Sequence, residues 1–218
     1  MKFLQSPHFI ADPNCMANPS PSIIAAFDFD GTLTYRDSLL PFLNFVVGSA
    51  LKRKNLCLES FHFFQYLLGY LSRQQLKEAL LTRFLKGKGR HEIKMYAERY
   101  AKEILPTLLR PQALERILWH KNQGHRCVLI SANLDIYLKP WGQAVGFDNI
   151  IASRVAFSPQ GYLTGYLQGL NCRGAEKVRR LIEEEGPTKN YILYAYGDSQ
   201  GDQELLQCAN FSFYRRLN

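Results

Sequence analysis

The apolar run IIAAFDF (23–29) constrains the fold of this chain more than any other segment. It shows no polar alternation until Asp28, the pattern of a strand buried on both faces of a parallel sheet. Two carboxylates, Asp28 and Asp30, stand at its end within AAFDFDGTLTYRDS (25–38). In isolation Asp30-Gly31 is a hairpin signal. A two-residue loop there would set Phe29 against Thr32, Asp28 against Leu33 and Phe27 against Thr34. Each pair puts an apolar residue opposite a polar one, which is poor cross-strand chemistry. An EF-hand loop also fails, because Gly31 follows Asp28 too soon. What remains is a strand that ends in a site.

A long helical region follows, roughly 38–105. DSLLPFLNFVVG and LCLESFHFFQYLLGYL carry broad apolar faces, and SRQQLKEALLTRFLKG opens with Ser72 and Gln75 at capping-box spacing. RHEIKMYAERYAKEIL comes next, and Pro106 and Pro111 punctuate its end. The pattern then changes to strands alternating with helices. PQALERILWHKNQG is a helix closed by Gly124, HRCVLIS a strand, DIYLKPWGQAVG a helix interrupted or kinked at Pro140, and NIIAS a strand. RVAFSPQGYLTGYL alternates around a Pro-Gln-Gly turn and reads as a hairpin. GAEKVRRLIEEEG is a helix, YILYAYGD a strand, DQELLQCA a helix and FSFYR a last short strand. This order predicts an α/β fold, a Rossmann-like core with a central parallel sheet and a helical domain inserted after the first strand. Residues 22–37 and 106–218 form the core in this reading, 38–105 the insert, and 1–21 a Pro/Asn/Ser-rich leader that packs poorly.

Composition narrows the function classes. The chain has 218 residues and is 46% hydrophobic, enough for one core domain with a smaller insert. Lys and Arg outnumber Asp and Glu by 27 to 19, but in short scattered groups without a long like-charge block, so no nucleic-acid partner is expected. The five cysteines are widely spaced, with no CxxC pair and no zinc spacing. A reduced, cytoplasmic protein follows. No run reaches the length of a membrane span, and the N-terminus lacks the apolar core of a signal peptide. Nothing in the sequence speaks to oligomeric state.

In an open α/β sheet, ligands gather at the carboxyl ends of the strands. Three strand ends here offer chemistry: Asp28 and Asp30 after the first, Ser131 at the end of CVLIS, and Asp198 and Asp202 in YILYAYGDSQGD. Crowded carboxylates raise one another's pKa unless they share a cation. Mg²⁺, a hard ion with oxygen ligands, suits such a set.

DFDGTLT, SAN, Lys177 on a later helix and GDSQGD occur in that order. Together they resemble the four motifs of the haloacid dehalogenase superfamily, over roughly residues 22–214. The helical insert is similar to the C1 cap of the phosphatase branch that includes phosphoserine phosphatases. The resemblance implies a phosphate monoester hydrolysed through an aspartyl-phosphate. Asp28 would be the nucleophile and Asp30 the general acid and base. Asp28, the backbone carbonyl of Asp30 and Asp198 would hold Mg²⁺, with Asp202 binding through water or orienting the set. Ser131, Ala132 and Asn133 would bind the phosphoryl group, and Lys177 would offset charge on Asp28 and that group. An acid at position 30 and the lack of membrane spans separate this pattern from the dehalogenases and the transport ATPases.

The implied partner is a small phosphorylated substrate like phosphoserine. Asp37 lies near the place where such enzymes use a Glu to meet the substrate's amino group, but it better suits the cap of the next helix; Arg36 and Arg73 are candidate partners for a substrate carboxylate, without a fixed alignment. SAN stands where phosphoserine phosphatases have a glycine-rich turn. The insert is rich in aromatics (Phe42, Phe45, Phe61, Phe63, Phe64, Tyr66, Tyr70) beside Lys52–Lys54. Most of these rings fit packing between helices; as a rim they would suit a weak association with an anionic membrane and a lipid phosphate. A phosphotransferase would use the same residues, and an interaction module with a retired site would have no need of the charge cluster.

Overall fold

The computed structural model describes residues 22–48 and 71–217. The proposed leader, Lys52–Lys54 and the aromatics between Phe61 and Tyr70 lie outside the described residues. The sheet is built on β1 (Ser22–Phe27), whose apolar side chains alternate between two buried layers. Ile24 and Ala26 enter one layer, and Ala25 and Phe27 the other. Helices cover both faces, which is what a parallel strand of this composition requires.

β1 pairs in parallel with β2 (Arg126–Leu134) on one side and with β6 (Tyr191–Gly197) on the other. β3 (Asn149–Ser153) extends the sheet beyond β2, and β7 (Phe211–Tyr214) extends it beyond β6, both in parallel. The strand order is β3-β2-β1-β6-β7. The chain's direction across the sheet therefore reverses between β1 and β6, where open α/β sheets leave a crevice. A short antiparallel pair, β4 (Val155–Phe157) and β5 (Leu163–Leu167), realises the predicted hairpin.

The helices in chain order are α1 (Leu39–Val47), α2 (Arg73–Leu85), α3 (Arg90–Glu103), α4 (Leu105–Leu108), α5 (Pro111–Asn122), α6 (Asp135–Val145), α7 (Ala175–Glu185) and α8 (Gln203–Gln207). The capping box is formed: Ser72 Oγ accepts from Gln75 N at 3.2 Å, and Ser72 N donates to Gln75 Oε1 at 2.8 Å. α2 lies against β5, and α3 against α6. Tyr100 from α3, Tyr137 from α6 and Phe42 from α1 pack together with edge-on or tilted rings, their centroids 4.8–5.4 Å apart. Among the described residues, no helix is long and apolar enough to cross a membrane.

Two local expectations need correction. α6 runs unbroken through Pro140. The proline gives up only the bond that its own nitrogen would have made, and packing of Leu138 and Trp141 holds the rest. β2 continues past Ser131 to Leu134, because two residues bulge out of the ladder: Ser131 pairs with Ala152 and Leu134 with Ser153. Ala132 and Asn133 are thereby freed from pairing with β3.

One face of the sheet carries a buried histidine. His120 on α5 is fully buried, its Nε2 is 2.8 Å from Tyr196 Oη, and its Nδ1 is 2.8 Å from His125 Nδ1. Burial, with His125 and the Arg116 cation nearby, pushes its pKa down to about 3. The unfolded chain would bind this proton near pH 6.5 and the native state would not, so acid favours unfolding through this residue. The stability that wild type holds over His120→Gln should be constant above about pH 6.5. It should shrink by up to about 1.4 kcal/mol per pH unit below that. Urea unfolding of both proteins at about pH 7.5 and about pH 5 measures it; a difference that does not change with pH would contradict this account.

Candidate active site

After β1 the chain turns sharply. Leu33 N and Thr34 N both bond the Phe29 carbonyl, at 2.8 and 3.1 Å, and Gly31 adopts a φ of 79°. A Cβ at Gly31 would sit 2.2 Å from Asp198 Oδ2, so only glycine lets the first and last motifs approach this closely. The turn leaves Asp28 buried at the strand end, its N–H bonded to the Tyr196 carbonyl of β6 at 2.9 Å.

Lys177 occupies the centre. Its side chain is 1% exposed, and its Nζ lies 2.5 Å from Asp28 Oδ1 and 2.6 Å from Asp202 Oδ1. Gly174 N bonds the Gly201 carbonyl at 2.8 Å, which ties the start of α7 to the loop after β6. In that loop Asp202 Oδ2 accepts from Ser199 N at 3.0 Å and from Ser199 Oγ at 2.9 Å. Asp28 Oδ2 accepts from Thr32 Oγ1 at 3.2 Å.

The electrostatics follow from burial. Desolvation raises the Asp28 pKa to about 6, against the pull of Lys177 and with a further push from the Asp202 charge. Burial raises Asp202 too, but Lys177 and the Ser199 bonds more than offset it and hold the group below its usual value. Asp198 is raised by burial and by Asp202. Lys177 would lose its proton to desolvation alone, yet Asp28 and Asp202 keep it charged and raise its pKa.

Carboxylate oxygens of Asp28, Asp198 and Asp202 lie within 4.8 Å of one another. Against these three groups stands one buried cation, Lys177. An oxygen-rich, net negative cluster with raised pKa values fits a hard divalent cation.

Asp30 is separately held. Its Oδ1 accepts from Ser38 N at 3.1 Å and its Oδ2 from the Asn133 amide, which also donates to Ser38 Oγ at 3.0 Å. Burial and the charges of Asp37 and Asp28 push Asp30 well above the carboxylate range. Ser38 in turn accepts at its carbonyl from Tyr100 Oη, at 2.8 Å. Ser131 is buried, and its Oγ accepts from Asn133 N at 3.1 Å.

Asp28, Asp30, Ser131, Ala132, Asn133, Lys177, Asp198 and Asp202 all line one cleft of about 950 Å³. The eight positions that the resemblance assigned to the reaction thus line one cleft. Asp37 also lines it, while its Oδ1 accepts from Leu39 N at 2.9 Å and caps α1. Arg36 and Arg73 line the same cleft with exposed side chains. Sequence reasoning missed Lys77, Arg173 and Ser38. Arg173 lies over Gly201, where a Cβ would meet its Nε at 2.7 Å. Its position in NCRGAEK, four residues before Lys177, was the available signal.

A family model described as haloacid dehalogenase-like hydrolase matches residues 25–207. Protein CicA of Caulobacter vibrioides is 36% identical over 196 residues, covering 88% of this chain and 86% of that one. The fold is also that of a Bordetella pertussis Tohama I protein of unknown function, with a TM-score of 0.79, 23% identity and coverage of 89% and 90%. A phosphoserine phosphatase, solved as an analogue of its phospho-aspartyl intermediate, matches with a TM-score of 0.58, 20% identity and coverage of 89% and 87%.

Lys177→Met removes the ammonium that bridges two buried carboxylates. It should cost about 3–5 kcal/mol at neutral pH, because Asp28 and Asp202 then face each other uncompensated. Urea unfolding measures this; a loss below about 1 kcal/mol would show that the carboxylates find another partner.

Proposed function

The chain belongs to the haloacid dehalogenase-like hydrolases, and on that premise we propose that it is a Mg²⁺-dependent phosphatase acting on a small phosphate monoester. The observation that carries the reading is the pairing of Asp28, buried and bonded to Lys177, with an Asp30 held apart from it and raised in pKa. Two carboxylates two positions apart are thus placed in different environments, one suited to attack and the other to carrying a proton.

In this mechanism an oxygen of Asp28 attacks phosphorus in line with the leaving oxygen. A new P–O bond forms as the old one breaks, and Asp30 gives its proton to the departing oxygen. Asp30, now a carboxylate, takes a proton from water as the water oxygen attacks the same phosphorus. The bond to Asp28 breaks, orthophosphate leaves, and both acids return to their starting states. Ser131 and the neighbouring backbone N–H groups would bind the transferring phosphoryl oxygens, and Lys177 would offset charge on Asp28 as it loses its negative charge and on the phosphoryl group. The amide of Asn133 would hold Asp30 at the angle this exchange needs. Asp28, Asp198 and Asp202, with the Asp30 carbonyl, would hold Mg²⁺, which when bound offsets the negative charge that carboxylates and phosphate bring together.

For the leaving group, the cleft offers the exposed Arg36 and Arg73 and the apolar Leu39, Leu40, Leu76 and Leu80. These support an organic phosphate with polar and apolar parts. A panel of phosphoserine, sugar phosphates, nucleotides and phosphatidylglycerophosphate would rank the candidates.

p-Nitrophenyl phosphate gives the direct test. Wild type should hydrolyse it, EDTA should abolish the activity and added Mg²⁺ should restore it. Asp28→Asn should leave no measurable turnover, and Asp30→Asn should lower kcat by about 10²–10⁴-fold. Wild-type activity in Asp28→Asn would remove residue 28 as the nucleophile.

A further inference from the structure

α2 presents a row of polar side chains to the core. Gln74 Oε1 accepts from Asn171 N at 3.2 Å, and Glu78 Oε1 accepts from Leu167 N at 3.2 Å. The first contact ends on the segment between β5 and α7, the second on the last residue of β5. Lys77 lies between them and reaches further. Its Nζ donates to the Ala132 carbonyl at 2.5 Å and to Asn171 Oδ1 at 2.8 Å. The first acceptor belongs to the bulge of β2 that follows Ser131.

This is an unusual use of a lysine. Lys77 is 9% exposed, and it shares the inner side of α2 with Leu81, Phe84 and Leu85. Both of its hydrogen-bond acceptors are neutral; Asp37 and Asp30 act on it only through space. Burying an ammonium on neutral acceptors is costly, and burial lowers its pKa to about 8. Leucine or methionine would fill the same space without that cost. What an apolar side chain would not do is hold the Ala132 carbonyl. Ser153 Oγ stands 2.7 Å from that carbonyl and 2.9 Å from Asn171 Oδ1, but its single proton serves one of them at a time. Lys77 is therefore the donor that allows both oxygens to be satisfied together.

We propose that Lys77 is a positioning residue that couples the seating of α2 to the shape of the Ser131–Asn133 loop. The proposal rests on the reading that this loop receives the phosphoryl group. With α2 in place, the ammonium fixes the 132–133 peptide and, through it, Asn133 N on Ser131 Oγ and the Asn133 amide on Asp30. When α2 moves away, the carbonyl loses its charged donor and the bulge relaxes. The phosphate loop and the proton-carrying acid are then aligned only while this helix covers the cleft.

The test uses the full chain and two independent readouts. Lys77→Met should lower kcat on p-nitrophenyl phosphate by roughly 10- to 100-fold, with KM changed by less than about threefold. In the same variant, amide hydrogen exchange at residues 131–134 should rise by roughly tenfold or more, while β1 and β6 stay protected. Asp28→Asn, the reference, should leave exchange at 131–134 unchanged. Lys77→Gln keeps a neutral donor and should fall between wild type and Lys77→Met; it carries the same readouts if the methionine variant does not fold. Unchanged exchange at 131–134 in a folded Lys77 variant overturns the proposal, as does a fall in melting temperature with kcat intact. If wild type hydrolyses no monoester yet the Lys77 variants loosen 131–134, the phosphatase reading fails and the coupling stands.

Discussion

The site depends on one buried ammonium, Lys177, held between the carboxylates of Asp28 and Asp202. Each of the three groups would be unfavourable alone in the interior; Lys177 favours the charged form of both carboxylates, and they favour its own. The interaction also joins three parts of the chain, the ends of β1 and β6 and the first turn of α7. Its geometry leaves no room for error around it: Gly31 approaches Asp198 where a side chain would not fit, and Gly197 meets Asp202 in the same way, with a Cβ 2.5 Å from the aspartate's own. Balance among like and unlike charges, more than apolar packing, sets the shape of the cleft floor.

Much of this was legible in the sequence because the site lies where strands end. The apolar run before Asp28 and the run before Asp198 both declare buried strands, and in a parallel sheet their carboxyl ends must face the same way. Strand–helix alternation after Pro111 announced the α/β fold, and Pro-Gln-Gly announced the hairpin. These signals are local, and the structure kept them because nothing in the packing opposed them.

What was not legible depends on partners far away in the chain. The bulge in β2 has no marker: Ser-Ala-Asn contains neither glycine nor proline, and the bulge appears only in the register against β3. Lys77 sits on a helix whose sequence reads as an ordinary solvated amphipath, and its acceptors, Ala132 and Asn171, come from two other elements. Ser38 carried no signal of its own beside Asp37. The structure divides the work, with Asp37 capping α1 and the Ser38 backbone N–H held on Asp30. Pro140 was read as an interruption or a kink; the helix is not interrupted, because burial of the proline's neighbours outweighs one lost bond.

The placement of β1 at the middle of the sheet has a consequence for how the molecule is made. Ala26 pairs with Val128 on one side and with Ala195 on the other, so both its neighbours come from late in the chain. During synthesis this apolar strand has no partner until the long stretch before β2 has emerged, and its second edge stays open until β6 follows. Long-range pairing of this kind slows folding and leaves an apolar segment exposed in the meantime. The Asp28–Lys177–Asp202 cluster, drawn from segments far apart in the sequence, forms only once all three have been made.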